Sequence, residues 1–454
     1  MKELPPGWQV VPLDDLKADE PGAITDGPFG SKLTSAHYSA EGARVVRLQN
    51  IGDGIFKEAD AFIPWEHFES LRKHEVRAGD LLIASLGDDP PRACLAPANL
   101  GPAIVKADCI RVRLAADVDP RWVLYAMRSS DLKGWAAEQM HGVGRLRLGL
   151  KTIRALPIPL PSLGAQRLMV EILDDHLSRL DAADAGISAG RRRLRMLQDG
   201  VIRSALTGSE VDGQRFGHLE AAGVDDGVLP DLPSGWRWAR LGDLADVTGG
   251  VTKDAKKQAA GDAVEVPYLR VANVQRARLD LRSVSTIRVS RVKAEALTLL
   301  PGDVLLNEGG DRDKLGRGWV WEGQLDNCIH QNHVFRARIR GGVMDPYLLS
   351  WAGNTIGGAW CERNGRQSVN LASISLSKIR LMPVPVPPRE LQAGVRAQIE
   401  SVVDGSARLA EALYAAERRS AGLRRTLLDA AFSGRLTGRA SDMERVEELA
   451  VASS

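Results

Sequence analysis

Ile153-Arg154-Ala155-Leu156-Pro157-Ile158-Pro159-Leu160-Pro161 is the stretch on which the fold turns, and it returns as Ile379-Arg380-Leu381-Met382-Pro383-Val384-Pro385-Val386-Pro387. In both places alternate prolines keep the chain extended, because proline lacks an amide donor and restricts the residue before it. After the last proline the apolar period changes. Leu173, Leu180, Ile187, Leu194 and Val201 are seven residues apart, with Leu177 and Leu197 on alternate turns. In the second copy Val395, Val402, Leu409, Ala416, Leu423 and Ala430 keep the same step, flanked by Ile399, Leu413 and Leu427. Sustained heptads predict a coiled-coil seam. Each run stops at a glycine, Gly208 and Gly434, as helix C-termini do. About 40 residues at 1.5 Å per residue gives a rod of roughly 60 Å. Neither helix can hide its stripe alone, so the simplest solution pairs the two within the chain; packing of each on its own domain is the alternative.

Working upstream from each proline run, the duplication continues. Leu4-Pro5-Pro6-Gly7-Trp8 matches Leu232-Pro233-Ser234-Gly235-Trp236, and a Leu-x-Asp-Leu phrase follows at Leu13–Leu16 and Leu241–Leu244. Arg47-Leu48-Gln49-Asn50-Ile51 matches Arg270-Val271-Ala272-Asn273-Val274, and Gly79-Asp80-Leu81-Leu82 matches Gly302-Asp303-Val304-Leu305. A repeat this long is a domain plus a helix, not a short solenoid module. Short apolar runs such as Leu81–Ala84, Cys109–Leu114, Val304–Leu306 and Val334–Ile339, broken by Gly-Asp and Pro-Pro turns, predict strands. The fold class is therefore mixed α/β (α+β): two similar globular domains, 1–161 and 232–387, joined by long antiparallel helices, 162–208 and 388–434, in a pseudo-two-fold repeat. Residues 209–231 are Gly- and Asp-rich and read as a linker, and 435–454 as a mobile tail.

Composition adds bounds. The 454 residues carry 44% hydrophobic and 26% charged side chains and a net charge of +2, an ordinary soluble globular profile of two or three domains. If nucleic acid is the partner, a chain so near neutrality must concentrate its positive charge locally. Four scattered cysteines suit a reducing cytoplasm. Met1–Gln9 lacks the apolar core of a signal peptide, and no run is long enough to cross a membrane.

Catalytic patterns are missing where they would be expected. Gly27-Pro28-Phe29-Gly30-Ser31-Lys32 lacks the spacing of a phosphate loop. Asp88-Asp89-Pro90-Pro91-Arg92 has an arginine where an amino-methyltransferase carries an aromatic residue to stack on its flipped base. Cys328, His330 and His333 have no second ligand pair, so no metal site is expected.

Binding chemistry is richer. Arg312, Lys314 and Arg317 lie in a glycine-rich loop, close in sequence to His330, Gln331, Asn332 and His333. Arg363, Arg366, Gln367 and Asn370 form another polar stretch before the second helix. In the first copy Arg145, Arg147 and Lys151 occupy the equivalent segment, and Lys32 sits in its own loop. Arginine pairs bidentately with guanine, asparagine and glutamine with adenine. Singly, each stretch reads as a solvated loop; recurrence at matching points of two repeats favours recognition. Basic runs on the helices, such as Arg191–Arg193 and Arg424-Arg425, would suit a phosphate backbone or simply a solvated outer face.

Taken in order, the duplicated Leu-Pro-x-Gly-Trp openings, Gly-Asp-Leu/Val-Leu strands, Pro-x-Pro-x-Pro helix starts and His330-Gln331-Asn332-His333-Val334 resemble the specificity subunit of type I restriction–modification systems, from Leu4 to Gly438. The resemblance implies two target recognition domains, each reading half of a bipartite double-stranded DNA site. It implies that the helices set the spacer and dock two modification methyltransferase subunits. It places S-adenosylmethionine in those subunits, and ATP and Mg in restriction subunits, with no cofactor and no enzyme activity in this chain and a cytoplasmic location. The helix starts depart from the family's Glu-Gln pair, having Ala165-Gln166 and Glu390-Leu391-Gln392. The competing class is a coiled-coil scaffold that recruits enzymes without reading DNA.

Overall fold

A computed structural model of the protein describes residues 4, 7–87, 91–140, 146–253, 263–310, 314–367 and 372–436. They fall into two compact units, Met1–Ser188 with Leu413–Ser454, and Ala189–Ala412.

In the first unit, strands β1 (Ile24–Asp26), β2 (Leu81–Ala84), β3 (Arg92–Leu95) and β4 (Cys109–Val112) form an antiparallel sheet in the order β1-β4-β2-β3. All four residues of β2 are fully buried, which is why its sequence is an unbroken apolar run rather than an alternating one. The preceding Gly-Asp turn explains itself. Gly79 sits at φ +82°, which a side chain would resist. Asp80 accepts a bond from the Arg77 amide (2.7 Å) and two from the Arg113 guanidinium (both 2.9 Å). A second, smaller sheet contains a parallel pair, Arg44–Val46 against Ala103–Val105.

The proline run is itself a strand. Pro157–Leu160 pairs antiparallel with Gln9–Pro12, a two-stranded ribbon in which the missing proline amides have somewhere to face. The tryptophan of the opening signature, Trp8, packs edge-on against Trp122, which is fully buried and donates its indole N–H to Pro159 O at 2.8 Å. Asp119 caps the helix Pro120–Arg128, where proline at the first turn costs nothing.

The second unit uses other residues for the same plan. Strands β5 (Ala245–Thr248), β6 (Val304–Asn307), β8 (Gly318–Val320) and β9 (Val334–Ile339) form an antiparallel sheet in the order β5-β9-β6-β8. Between them lies β7 (Gly309–Gly310), which joins β10 (Arg366–Gln367) and β11 (Ala372–Ser373) in a small sheet ordered β7-β11-β10. Pro383–Val386 pairs with Arg237–Arg240 as the first proline run does with its partner.

Correspondence extends to individual hydrogen bonds. Buried Asn50 accepts from the Arg47 amide (2.9 Å) and donates to Lys57 O (2.9 Å) and Ala59 O (3.0 Å). Buried Asn273 accepts from the Arg270 amide (2.9 Å) and donates to Asp280 O and Ser283 O (both 2.9 Å). Asp303 repeats the Asp80 turn, accepting from the Leu300 amide and, at 2.7 Å twice, from Arg338. The helix starts also agree. Gln166 accepts from the Asp119 amide (2.9 Å) and donates to Pro161 O (3.0 Å), as Gln392 does with the Asp345 amide (2.7 Å) and Pro387 O (3.1 Å). Both glutamines are buried, so the departure at the preceding residue leaves this clamp intact.

The first long helix runs Leu163–Thr207 and the second Arg389–Phe432. In the first unit Val170, Leu173 and Leu177 share a core with Leu427, Leu428, Ala431 and Phe432, with Leu180 and Leu423 at its rim. Arg424 bonds Asp181 and Asp184 (2.6 and 3.1 Å) beside it. In the second unit Ile202, Ala205 and Leu206 share a core with Ile399, flanked by Val395 and Val403. Within each unit the start of one helix thus meets the end of the other. Ile187, Leu194, Val201 and Val402 are half-buried.

Leu409 corrects the heptad reading. It is 58% exposed, as are Met196 (74%) and Leu197 (66%). A strict seven-residue line drifts by about 20° per heptad on a straight α-helix. The seven-residue line is half-buried at Val395 and Leu423 and open to solvent at Leu409 between them.

The 209–231 segment also behaves otherwise than expected of a free tether. Arg215–Phe216 pairs with Leu232–Pro233, and Arg215 bonds the carbonyls of Gly208, Ser209 and Val211 at the end of the first long helix. Between these strands Asp226 takes two bonds from Arg240 (2.7 and 2.8 Å), docking the segment on the second unit. The expected tail lies, beyond Leu436, outside the described residues. No helix among them is long and apolar enough to cross a membrane.

Candidate nucleic-acid interface

In the second unit the fold gathers polar side chains that are far apart in sequence. The Glu308 amide donates to His333 O (3.0 Å), and the Ile374 amide donates to Glu308 O (2.9 Å). These bonds tie the 332–333 loop, β7 and β11 together, and β11 carries β10 beside it. Glycine suits β7 for two reasons: a Cβ on Gly309 would crowd Ala372 O at 3.2 Å, and Gly310 adopts φ +142°, which side chains resist. Around this edge stand Asn332, His333, Lys314, Arg366 and Gln367. Arg366 and Gln367 are exposed, and His333 is more than half exposed with its Nδ1 2.7 Å from Glu308 Oε2. Asn332 Nδ2 approaches His333 Nε2 at 3.4 Å.

Other residues read from the sequence as candidates are placed away from this edge or more deeply. His330 is fully buried and bonds Val334 O through Nδ1 at 2.6 Å. Burial pulls its pKa down to about 4, so it is a neutral core residue with no edge to offer a duplex. Gln331 is half-buried, and its backbone N–H donates to Leu269 O. Arg317 is half-buried in a cleft with Arg195, Arg276 and Trp351. Arg363 donates to Asp226 O at 3.0 Å. Arg145, Arg312 and Asn370 lie outside the described residues, as do Asp88, Asp89 and Pro90.

The first unit builds the same joint from different side chains. The Ser85 amide donates to Asp108 O (3.0 Å), the Leu148 amide donates to Ser85 O (2.9 Å), and Leu86 bridges Arg147. Here Arg147 pairs with Asp108 (2.8 Å), approaches Asp26 (3.8 Å) and lies over the half-exposed Phe29 ring. Asp26 is mostly buried; that burial, with Asp108 adding repulsion, pushes its pKa up to about 6. Lys151 is exposed on the short helix that follows, and Lys32 is exposed in its own turn with its carbonyl against His67.

Asp26, Asp108, Phe29 and Glu308 belong to these joints and were missed as site residues. One signal was available: Asp108 occupies the place of His333 in the repeat. Its backbone is left-handed at φ +68°. Among the described residues no group of three or more His, Cys, Asp or Glu side chains is placed to hold a metal. All four cysteines are buried and unpaired, and burial pushes the thiols of Cys94, Cys328 and Cys361 up to about 12, far from reactive.

Comparison with known proteins bears on the whole chain. The specificity subunit of the type I restriction enzyme StySPI from Salmonella potsdam is 22% identical over 447 residues, covering 96% of this chain and 90% of that protein. The specificity subunit of EcoKI from Escherichia coli K12 is 20% identical over 441 residues, with the same coverages. The chain is a relative of the type I restriction enzyme specificity subunits. A solved chain from the type I R-M system, in a study of its assembly and conformational transition, superposes with a TM-score of 0.66 at 20% identity. It covers 96% of this chain and 100% of that one, so the fold is shared along the full length. No family model matches. Both curated relatives are named specificity subunits, the kinship on which the functional reading below is built.

Proposed function

We propose that this chain is the DNA sequence-specificity subunit of a type I restriction–modification complex, each unit reading one half of a bipartite site. One observation carries the reading: the same backbone joint is built twice, as Ser85, Asp108 and Leu148 and as Glu308, His333 and Ile374, with different polar side chains mounted on it. A common frame with diverged side chains is what two different half-sites require. The half-sites must be held at a set separation and rotation, because the major groove recurs about every 34 Å along DNA. Paired helices meet that need and offer docking faces for two methyltransferase subunits. Those subunits would supply S-adenosylmethionine and the methyl transfer; restriction subunits, with ATP and Mg, would supply cleavage. This chain would hold no cofactor and act in the cytoplasm.

Mapping methylated bases across the host genome with and without the gene tests the reading. A bipartite motif that vanishes on deletion is expected; an unchanged methylome would overturn it in favour of a scaffold that does not read DNA. Inserting or deleting residues in the long helices should change the spacer. A variant that methylates the original site with its original spacer would remove the helices from that role.

A further inference from the structure

The second unit contains a positioning device with no counterpart among the described residues of the first. Residues 217–231 form a strap closed at its base by the pairing of Arg215–Phe216 with Leu232–Pro233. Its centre is anchored on one carboxylate. Asp226 accepts two bonds from Arg240 (2.7 and 2.8 Å) and one from the Trp360 indole N–H (2.9 Å), and Arg240 also donates to Glu220 O (2.6 Å). Arg240 is 8% exposed, and its guanidinium holds the Asp226 carboxyl below the usual carboxylate range.

The anchored strap grips a specific residue. The Asp225 amide donates to Asn364 Oδ1 (3.0 Å), and Asn364 Nδ2 donates back to Asp225 O (2.7 Å). Lys378 Nζ takes the Asn364 carbonyl at 2.8 Å, and the Asn364 side chain is buried. A Cβ on Gly227, which adopts φ +65°, would lie 2.8 Å from the Arg363 guanidinium, so strap and helix end are in close contact. Asn364 is the last residue of the helix Gly358–Asn364, and β10 begins two residues later with Arg366 and Gln367. Strap and Asn364 are thus hydrogen-bonded to each other, and the backbone through Gly365 joins that anchor to the exposed polar pair.

We propose that the strap sets the position of β10, with Asp226 and Asn364 as positioning residues for the reading of one half-site. The inference rests on the recognition role given above. Neither residue faces solvent as a reader would; each acts through the strand that follows.

The test uses the full chain assembled with its methyltransferase subunits, selecting methylated duplexes from a library randomised over both half-sites. The double variant Arg366→Ala/Gln367→Ala first marks which half-site this unit reads. Asp226→Asn and Asn364→Asp, both near-isosteric, should then relax preference at that half-site by about tenfold per variant, the worth of one strong hydrogen bond. Preference at the other half-site and the turnover on the best duplex should be unchanged. Unchanged preference at both half-sites, or equal loss at both, would overturn the positioning role. If Arg366→Ala/Gln367→Ala itself leaves both half-sites intact, it is the reading role of β10 that fails; the strap proposal then falls with it, by a different result.

Discussion

The two units differ least where nothing meets solvent and most where something must. Asn50 and Asn273 make the same three hydrogen bonds to within about a tenth of an ångström. A few strands away, one unit mounts an aspartate, an arginine and a phenylalanine on the shared joint, the other a glutamate and a histidine. Buried polar groups must be satisfied, and few side chains can satisfy three backbone groups at once. Exposed positions on the joint carry no such constraint and are free to specialise.

That contrast can be broken most forcefully at the asparagines. Asn50→Ala and Asn273→Ala each strand buried backbone groups and should each cost about 3 kcal/mol in denaturant unfolding. Costs that differ by more than about 1.5 kcal/mol would mean that the two frames are alike in geometry but not in energy. The glutamine clamps come next. Gln166→Ala removes two bonds and Gln392→Ala three, the third being to Val343 O, and each should cost about 2 kcal/mol by the same measurement. A negligible cost at either would show that its helix start is held by apolar packing alone.

The smallest effect sharpens the difference rather than the likeness. Asp26 has a folded pKa of about 6 against an ordinary 3.8, so between those values the folded chain holds the extra proton. Stability contributed by that proton is present below the ordinary value and is lost as pH rises through about 6. Asp26→Asn should therefore flatten the stability profile in that window and gain about 1 kcal/mol at pH 7. The matching position of the second unit is Gly249, two residues beyond Val247 as Asp26 is beyond Ile24, so no such slope should arise there. A slope that survives the substitution would assign it to another group.

Much of the architecture was legible because it rests on local rules. Alternating prolines, heptads and terminal glycines each act through neighbouring residues, and the strands and helices stand close to where those patterns put them. The duplicated Arg-x-x-Asn phrase was visible too, but its meaning was not, since Asn50 serves carbonyls seven and nine residues away. His330 was misread for a related reason. A run of four polar residues looks uniformly exposed, yet the bridge of Val251 to Gln331 and the start of β9 at Val334 turn this one side chain inward. The strap was hidden by composition. Glycine and aspartate signal looseness unless a buried arginine such as Arg240 waits for the carboxylate.

The glutamine clamps have one consequence of a rotational kind. Each residue of an α-helix advances it by 1.5 Å and turns it by roughly 100°. Gln166, bonded to both Pro161 O and the Asp119 amide, fixes the angle at which the first long helix leaves its own unit. A residue inserted between Pro161 and Gln166 would let the clamp re-form and leave the helix beyond unrotated. One inserted just after Gln166 would swing Val170, Leu173 and Leu177 away from Leu427 and Ala431. One residue, Gln166, separates tolerance of an insertion from loss of the seam, and the same asymmetry should hold around Gln392.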